Sequence, residues 1–155
     1  MRTEVEKAKL SDIPRLVELM DEFYAESSYA LDRSWATASF ERLLGDESLG
    51  AAWLGRRGPE IAGYVVLTLK HSMEFGGMDA FIDDLFVRPN FRRQRVASTL
   101  LSALFDHCRQ LPAAAVHVEV GPDNAAALAL YESFGLSNQG REVLTAHIDK
   151  EMHAV

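Results

Sequence analysis

The chain has 155 residues, a formal net charge of −7, 48% apolar and 25% charged residues, which fits one soluble globular domain over residues 1–155. It has no apolar run near the ~18 residues of a membrane span, no signal peptide and a single cysteine, Cys108, so we expect no membrane role, no internal disulfide and a cytoplasmic location. The acidic balance argues against nucleic acid as the main partner and favours a cationic small molecule or peptide.

The first half of the chain predicts a strand, two helices and a hairpin. Ser11 or Asp12 is expected to cap the first helix, because short polar side chains accept hydrogen bonds from the amides of the first turn. The apolar face of this helix comprises Ile13, Leu16, Val17, Met20 and Phe23 or Tyr24. A second helix is predicted over about Thr37–Leu44, and Ala51–Arg56 and Ile61–Leu69 predict a hairpin.

The second half alternates strands with helices. Asp79–Val87 predicts a strand, Ala97–Arg109 a helix and Ala115–Val120 another strand. A helix over Asn124–Phe134, closed by Gly135, and a final strand over Glu142–Met152 complete the order. This order predicts a mixed sheet flanked by helices.

An arginine-rich junction joins the strand that ends at Val87 to the helix that follows. Four arginines lie between Arg88 and Arg95, in a chain that is acidic as a whole. The first turn of a helix carries unpaired N–H groups and a partial positive charge, so it binds anions well. The junction therefore predicts a phosphate-binding loop.

A second informative segment is the alanine-rich helix that starts at Asn124. Asn124 and Tyr131 are separated by seven residues, almost two helical turns, so they share one face. The alanines between them leave that face shallow, and a slender ligand could lie against it. Two simpler interpretations stay open: Asn124 caps the helix, and Tyr131 is a core aromatic residue with its hydroxyl at the surface.

Together the two segments resemble the GNAT superfamily of N-acetyltransferases. Leu85–Ala97 resembles the family's strand and pyrophosphate loop, and Asn124–Leu136 resembles its motif Asn-x-x-Ala-x-x-x-Tyr-x-x-x-Gly-Phe. Asp83–Val87 is most similar to the corresponding strand of diamine acetyltransferases. The resemblance covers roughly residues 80 to 136. It implies an α/β (α+β) fold with a mixed, mostly antiparallel sheet of six or seven strands, splayed at a central parallel pair and flanked by about four helices.

The resemblance also implies acetyl-CoA as co-substrate, bound between the two parallel strands, and no metal. Strand backbone would pair with the pantetheine arm, loop amides would hold the pyrophosphate, Asn124 would bond the pantetheine and Tyr131 would protonate the departing thiolate. The residues so assigned to acetyl-CoA are Leu85, Phe86, Val87, Arg92, Arg93, Gln94, Arg95, Val96, Ala97, Ser98, Asn124 and Tyr131. The five histidines show no ligand-like spacing.

The acceptor side needs a base, because an alkylammonium of ordinary pKa near 10.4 must lose a proton, at a cost of about 4.6 kcal/mol at pH 7. Asp83 is our first choice, since it stands at the position of the diamine enzymes' glutamate. Asp84 would lie on the opposite face of an ideal strand, although a bulge could exchange the two. Glu119 is a third candidate. The predicted acceptor-binding residues are Tyr24, Tyr29, Asp83 and Glu119.

One residue departs from the family pattern: Arg95 stands where the family has glycine. A positive φ would cost arginine about 1–2 kcal/mol there, whereas a negative φ would cost nothing. The predicted function is acetyl-CoA-dependent N-acetylation of a primary amine by direct attack in a ternary complex. The alternative is a catalytically weak or inactive CoA-binding or protein-interaction module. Many members of the family are dimers, so the resemblance also admits a homodimer.

Overall fold

The computed structural model describes residues 1–148, and the chain divides into two compact units, residues 1–121 and the part that begins at Pro122. The first unit contains β1 (Thr3–Lys7), α1 (Ile13–Ala25), α2 (Arg33–Leu44), β2 (Gly50–Arg57), β3 (Glu60–Ser72), β4 (Gly77–Val87), α3 (Val96–Gln110) and β5 (Val116–Val118). The second unit contains α4 (Ala125–Ser133). This is an α/β fold with a mixed sheet.

The sheet of the first unit has five strands in the order β1-β2-β3-β4-β5. Each pair of neighbours is antiparallel except β4 and β5, which run parallel. The expectation of six or seven strands was therefore too high for the described residues. Of the predicted last strand, residues 142–148 have no regular structure and residues 149–152 lie outside the described residues.

The pattern of that segment explains the difference. Val143 and Leu144 are 69% and 89% exposed, so the alternation of apolar and polar residues does not correspond to a buried face here. Strand preference depends on packing against neighbouring strands, and alternation alone does not supply such a neighbour.

Helices cover both faces of the sheet in the first unit. The core on one face is formed by side chains of α1, α2 and the central strands, including Ile13, Leu16, Leu19, Met20, Ala36, Phe40, Ala52, Leu54, Tyr64, Val66 and Phe86. On the other face, α3 lies so close to β2 that a Cβ on Gly55 would meet Val96 at 3.3 Å, and the rings of Trp53 and His107 are 5.2 Å apart. Strands β2, β3 and β4 are therefore buried between helices.

Helix α2 begins earlier than predicted. The sequence predicted a start near Thr37, whereas the helix starts at Arg33. Asp32 is its N-cap, and the Asp32 Oδ1 atom accepts hydrogen bonds from the backbone N–H groups of Ser34 and Trp35, each at 3.1 Å. Since an aspartate cap satisfies two first-turn amides, the four preceding residues join the helix.

Strand β4 contains a bulge at Asp83. Val66 pairs with Asp84 and the next residue, Leu67, pairs with Ile82, so Asp83 has no partner in β3. Residues directly opposite one another share a face of the sheet. Asp84 therefore lies on the face of Val66, which α1 and α2 cover, and Ile82 keeps its place in the core on the other face. The extra residue removes the ideal alternation on which the prediction of opposite faces for Asp83 and Asp84 was based.

Candidate functional site

Strands β4 and β5 are paired over a short distance only. The parallel ladder joins Ala80–Ile82 to Val116–Val118 and stops at the bulge. Within residues 1–121, no strand pairs with the outer edge of Asp83–Val87. The Val87 carbonyl accepts a hydrogen bond from the Arg92 side chain at 2.9 Å, and the other backbone groups on that edge are available to a ligand. The three residues predicted to pair with pantetheine, Leu85 to Val87, lie on this edge. The parallel pair of strands that the resemblance implies is thus present, and a cofactor site between the two strands stays a prediction.

A polar pair with one buried partner joins β5 to β4 where the two strands are paired. The Asp79 side chain is buried, and its Oδ1 atom lies 2.7 Å from Nε2 of His117. The His117 ring also stacks on Phe81, with the ring centroids 4.8 Å apart. From the sequence, His117 was interpreted only as a possible metal ligand. The usable signal was the placement of an acid and an aromatic residue two apart on one strand, opposite a histidine on the next.

The turn before α3 has the backbone of an anion cradle. Arg93 and Arg95 have left-handed φ values of +62° and +66°. The first hydrogen bond of α3 runs from the Thr99 N–H group to the Arg95 carbonyl. The N–H groups of residues 96 to 98 therefore have no acceptor within the helix. Left-handed residues that lead into a helix direct successive N–H groups toward one concavity, which suits a phosphate. The side chains of residues 92 to 95 are exposed and leave the backbone accessible.

Smaller features of the same turn agree with this geometry. The Gln94 side-chain amide donates to the Asn90 carbonyl at 3.1 Å, which ties the turn to the preceding residues. Val96 is buried and anchors the start of α3, whereas Ala97 and Ser98 are half-buried. The turn is therefore fixed at both ends, and the hydroxyl of Ser98 lies in the first helical turn, where it can add a donor.

Two of the four arginines are occupied by α1. Arg88 bonds both carboxylate oxygens of Glu22, at 2.9 and 2.7 Å, and the carbonyl of Ile61 at 2.9 Å. Arg92 donates to Glu26 at 2.6 Å and to the Val87 carbonyl at 2.9 Å. The arginine cluster therefore does not act as one phosphate-binding group, and the Arg92 guanidinium, predicted to bind cofactor, is already paired.

That leaves Arg93 and Arg95 as the cations of the turn. Their side chains make no hydrogen bond or ion pair with any residue of the described part of the chain. Both are exposed beside the amides of residues 96 to 98. The positive charge that an anion would meet at this turn thus comes from two side chains and from the helix terminus.

Asp84 is the carboxylate that the fold modifies most. The Tyr64 hydroxyl donates to its Oδ2 atom at 3.1 Å, and the Asp84 side chain is half-buried. Burial raises the pKa of Asp84 to about 6, against the opposing effect of the Tyr64 hydrogen bond and with a further rise from the charge of Asp83. Asp84 is therefore a stronger base than an ordinary carboxylate.

Asp83 and Glu119 add charge beside it. The Asp83 side chain reaches solvent at the bulge, and its pKa is raised, first because the group is partly desolvated and then because of the charge of Glu119. The pKa of Tyr24 is raised by burial and by the charges of Asp84 and Asp83. Asp83 thus interacts electrostatically with Asp84, Tyr24 and Glu119, and Asp84 also interacts with Tyr24.

Tyr29 is placed differently from the other predicted acceptor residues. Its side chain is 68% exposed after the end of α1, and its N–H donates to the Tyr24 carbonyl at 3.0 Å. Its ring therefore faces solvent, and its backbone hydrogen bond links it to Tyr24.

The second unit carries the two remaining predicted residues. Asn124 caps α4, with its Oδ1 atom accepting from the N–H of Ala127 at 3.1 Å, so the capping interpretation is confirmed and the side-chain NH₂ remains as a donor. Tyr131 is buried, and burial raises the pKa of its phenol. A phenol that stays protonated at neutral pH is suited to donate a proton. Gly135, with φ of +90°, follows the end of the helix as predicted.

Two further observations concern the described residues 1–148. None of their helices has the length and apolar character required to cross a membrane. They contain no group of three or more His, Cys, Asp or Glu side chains arranged to hold a metal ion. Cys108 is buried in α3, and burial raises the pKa of its thiol to about 11.

Comparison with known proteins gives a family match for the chain. A profile of the Acetyltransferase (GNAT) family matches residues 14–136. The ribosomal protein bS18-alanine N-acetyltransferase of Escherichia coli (strain K12) is 37% identical over 59 residues, which are 38% of this chain and 40% of that protein. The aligned stretches cover 33% to 40% of the length of the curated relatives that the chain matches.

Solved structures agree over nearly the whole chain. An integron cassette protein from the mobile metagenome of Cole Harbour Salt Marsh is 38% identical, with a TM-score of 0.87 over 96% of this chain and 93% of that one. The structure of AAC(6')-Iy with the bisubstrate analogue CoA-S-monomethyl-acetylneamine has a TM-score of 0.82 at 15% identity, covering 95% and 99% of the two chains. At that identity the likeness to AAC(6')-Iy concerns the fold alone.

Proposed function

The chain belongs to the Acetyltransferase (GNAT) family, and from this premise we propose that it transfers the acetyl group of acetyl-CoA to a primary amine by direct attack in a ternary complex. The observation that carries the proposal is the position of Asp84. It is a carboxylate with a pKa near 6 on β4, next to the point where β5 leaves that strand. A base is thus available beside an edge that can bind an extended ligand.

The donor side rests on the edge of β4 and the turn after it. Acetyl-CoA, when bound, supplies the acetyl group as a thioester and presents a diphosphate. The free edge at Leu85–Val87 can hydrogen-bond the pantetheine amides, and the N–H groups of residues 96 to 98 can hold the diphosphate. Arg93 and Arg95 add positive charge there, and the NH₂ group of Asn124 is a further donor for pantetheine.

The acceptor side rests on the carboxylates. At pH 7 to 8 the Asp84 carboxyl is mostly ionised, because its pKa is about 6. Asp84 takes the proton of the ammonium group, directly or through a water molecule, and leaves the nitrogen lone pair free for attack. Asp83 and Glu119 attract the cationic acceptor, with Tyr24 and Tyr29 beside its path.

The proton of the leaving group comes from Tyr131. As the C–N bond forms and the C–S bond breaks, the Tyr131 phenol donates its proton to the thiolate. The nitrogen loses its second proton as the amide forms, and this proton, passed through solvent, restores the Tyr131 phenol. The first proton, held by Asp84, is released to solvent, so the residues are unchanged after one turnover and one proton is released. The raised pKa of Tyr131 keeps the phenol protonated before transfer.

The acceptor class follows from charge. Three carboxylates, Asp83, Asp84 and Glu119, favour a small cationic amine, and the sequence resemblance of β4 favours a diamine among these. The names of the relatives add two other classes to test, an N-terminal alanine of a protein and an aminoglycoside. The homodimer, the cytoplasmic location and the single domain remain predictions from the sequence.

The test is CoA release with a panel of amines: a diamine, an aminoglycoside, a monoamine and a peptide with N-terminal alanine. We expect release with at least one of them. Asp84→Asn should lower kcat/KM by about 10²- to 10⁴-fold, and Tyr131→Phe should lower turnover with acetyl-CoA affinity, measured by calorimetry, nearly unchanged. Binding of acetyl-CoA without release for any amine would favour the inactive CoA-binding module instead, and no binding heat at millimolar acetyl-CoA would remove the enzyme hypothesis.

A further inference from the structure

We propose that Tyr64 is a positioning residue for proton transfer at Asp84: its buried hydroxyl holds one carboxylate oxygen and leaves the other free to take the proton of the amine. This inference deepens the proposed function and rests on it. Tyr64 lies outside the segments that resemble the family's motifs, and its sequence position in the apolar run of β3 gave no sign of a polar role.

Tyr64 is rigidly held. Its side chain is 0% exposed and packs in the core on the α1–α2 face of the sheet, with ring centroids 6.5 Å from Phe23, 6.5 Å from Phe40 and 6.4 Å from Phe86. A buried phenol that lacks a partner is unfavourable, so its hydroxyl must be bonded. The partner is Asp84 Oδ2 at 3.1 Å. The aromatic cluster thus fixes where the hydroxyl is, and the hydroxyl fixes the carboxylate.

The strand register produces this contact. Tyr64 pairs with Phe86 and Val66 pairs with Asp84, so Tyr64 and Asp84 are diagonal neighbours on one face of the sheet. Diagonal neighbours are within reach only when one of the two side chains is long or aromatic, as tyrosine is. The bulge at Asp83 follows immediately, and it keeps Asp84 on this face without moving Ile82 out of the core.

The hydrogen bond has two chemical consequences. With Oδ2 engaged by Tyr64, Oδ1 is the atom of Asp84 that is free to accept the ammonium proton. The bond also favours the ionised form of the carboxyl, so it works against the rise in pKa that burial causes. The other titratable groups that face this carboxyl are Asp83 on β4 and Tyr24 on α1, and Glu119 acts on Asp83.

The test is the pH dependence of kcat/KM in Tyr64→Phe, with the acceptor that the wild-type enzyme uses. Losing the hydrogen bond leaves burial unopposed, so the pKa of Asp84 rises and the acidic limb should move to higher pH by about 0.5–1 pH unit. Near pH 6, kcat/KM should then fall about two- to five-fold, and by less on the plateau. The KM for acetyl-CoA should stay close to that of the wild type.

The matched control is Phe40→Leu. Phe40 packs against the Tyr64 ring in the same core but has no polar group to offer Asp84. It should reduce stability without moving the acidic limb. A limb at the same pH in folded Tyr64→Phe as in the wild type would overturn the inference, and so would an equal shift in Phe40→Leu.

A second measurement needs no Tyr64 variant and no activity. The Tyr64 hydroxyl proton should exchange slowly in NMR spectra of the wild-type protein, and its chemical shift should follow the titration of Asp84 and lose that response in Asp84→Ala. A chemical shift of the Tyr64 hydroxyl proton that stays constant between pH 4 and pH 8 would contradict the inference, even if Tyr64→Phe failed to fold. If none of the amines in the panel causes CoA release, the proposed function fails, and this NMR measurement still tests the contact between Tyr64 and Asp84.

Discussion

Arg95 is the residue at which the chain departs most clearly from the motif it resembles. Its φ of +66° shows that the position keeps the left-handed backbone for which glycine is suited, so of the two alternatives left open by the sequence the strained one holds. Its side chain is exposed. The arginine therefore adds a cation beside the helix amides at the expense of backbone strain, and it does not fill the cradle.

Replacing Arg95 by glycine should separate these two effects. Arg95→Gly relieves about 1–2 kcal/mol of strain and loses about 0.5–1 kcal/mol through the freedom of glycine in the unfolded chain, so its free energy of unfolding should equal or exceed that of the wild type. Arg95→Ala loses the same charge but keeps the strain, so it is the control. Urea denaturation measures stability and calorimetry the acetyl-CoA affinity, which should fall alike in both variants. Lower stability in Arg95→Gly than in Arg95→Ala would refute the argument.

Asp84 should also leave a pH signature in stability. A carboxyl with a folded-state pKa near 6 and an unfolded pKa near 4 binds its proton more tightly when folded, so its contribution becomes less favourable as pH rises from 4 to 6 and stays so above that. Asp84→Asn has no such charge to bury. Relative to the wild type, its free energy of unfolding should increase by about 1–2 kcal/mol between pH 4 and pH 8, after allowance for partial exposure. Denaturation at the two pH values gives the answer, and a constant difference would refute the raised pKa.

Some residue-level features could be predicted and others could not. Asn124 as a cap and Gly135 as a helix end follow from local chain chemistry, which a single segment contains. The choice between Asp83 and Asp84 depends on the bulge, and a bulge is set by how β3 and β4 pair, so it is not visible in β4 alone. Tyr64 was missed for the same reason, because its partner lies 20 residues away.

At the scale of elements, helix α1 and the β4–α3 connection are joined by charge. Glu22 lies in α1 and Glu26 directly follows it, and Arg88 and Arg92 belong to the arginine cluster that predicted a phosphate-binding loop. The fold brings the two sets together, which sequence analysis could not foresee without knowing which helix face lies over the sheet. Most element boundaries were predictable from apolar periodicity, and α2 was misplaced because the Asp32 cap was overlooked.

The ion pairs between α1 and the β4–α3 connection should contribute a measurable part of the free energy of unfolding. Glu22→Gln removes a bidentate, partly buried ion pair with Arg88 and should cost about 1–2 kcal/mol of unfolding free energy. Glu18→Gln is the control on the same helix, since Glu18 lies 3.6 Å from Arg88 with a side chain 57% exposed, and it should cost less than about 0.5 kcal/mol. Thermal or chemical denaturation of both variants at low salt decides. Equal losses would mean that the bidentate geometry contributes nothing special.

At the scale of the whole molecule, a chain with a net charge of −7 contains a turn for which we propose binding of an anionic cofactor. The two kinds of charge lie at different places in the first unit. Asp83 interacts with the carboxylates Asp84 and Glu119, whereas Arg93 and Arg95 lie at the start of α3. The class of fold was predictable from the order of elements and two motifs. The number of strands was not, because an alternating segment does not reveal whether it has a neighbour to pair with.

This charge predicts a salt effect on the acceptor. The KM of a dicationic amine should rise about two- to five-fold between ~0.05 and ~0.3 M salt, because ions screen its attraction to an acidic surface. A monocationic amine of similar size is the comparison, and its KM should rise less. Steady-state kinetics at fixed, saturating acetyl-CoA tests this, and identical salt dependence for the two amines would argue against an acceptor site built on charge.

Because of the bulge in β4, we expect that one residue of this strand can be deleted without disturbing the sheet. Deleting one residue from a strand ordinarily inverts every side chain beyond the cut and ruins the fold. Here the supernumerary residue is Asp83, so excising it would join Ile82 to Asp84 and give an unbroken ladder, with Tyr64 and Asp84 still side by side. Deletion of Asp83 should therefore disturb the pairing of β3 and β4 less than deletion of any paired residue of β4, and it would show the effect of Asp83 separately from that of Asp84.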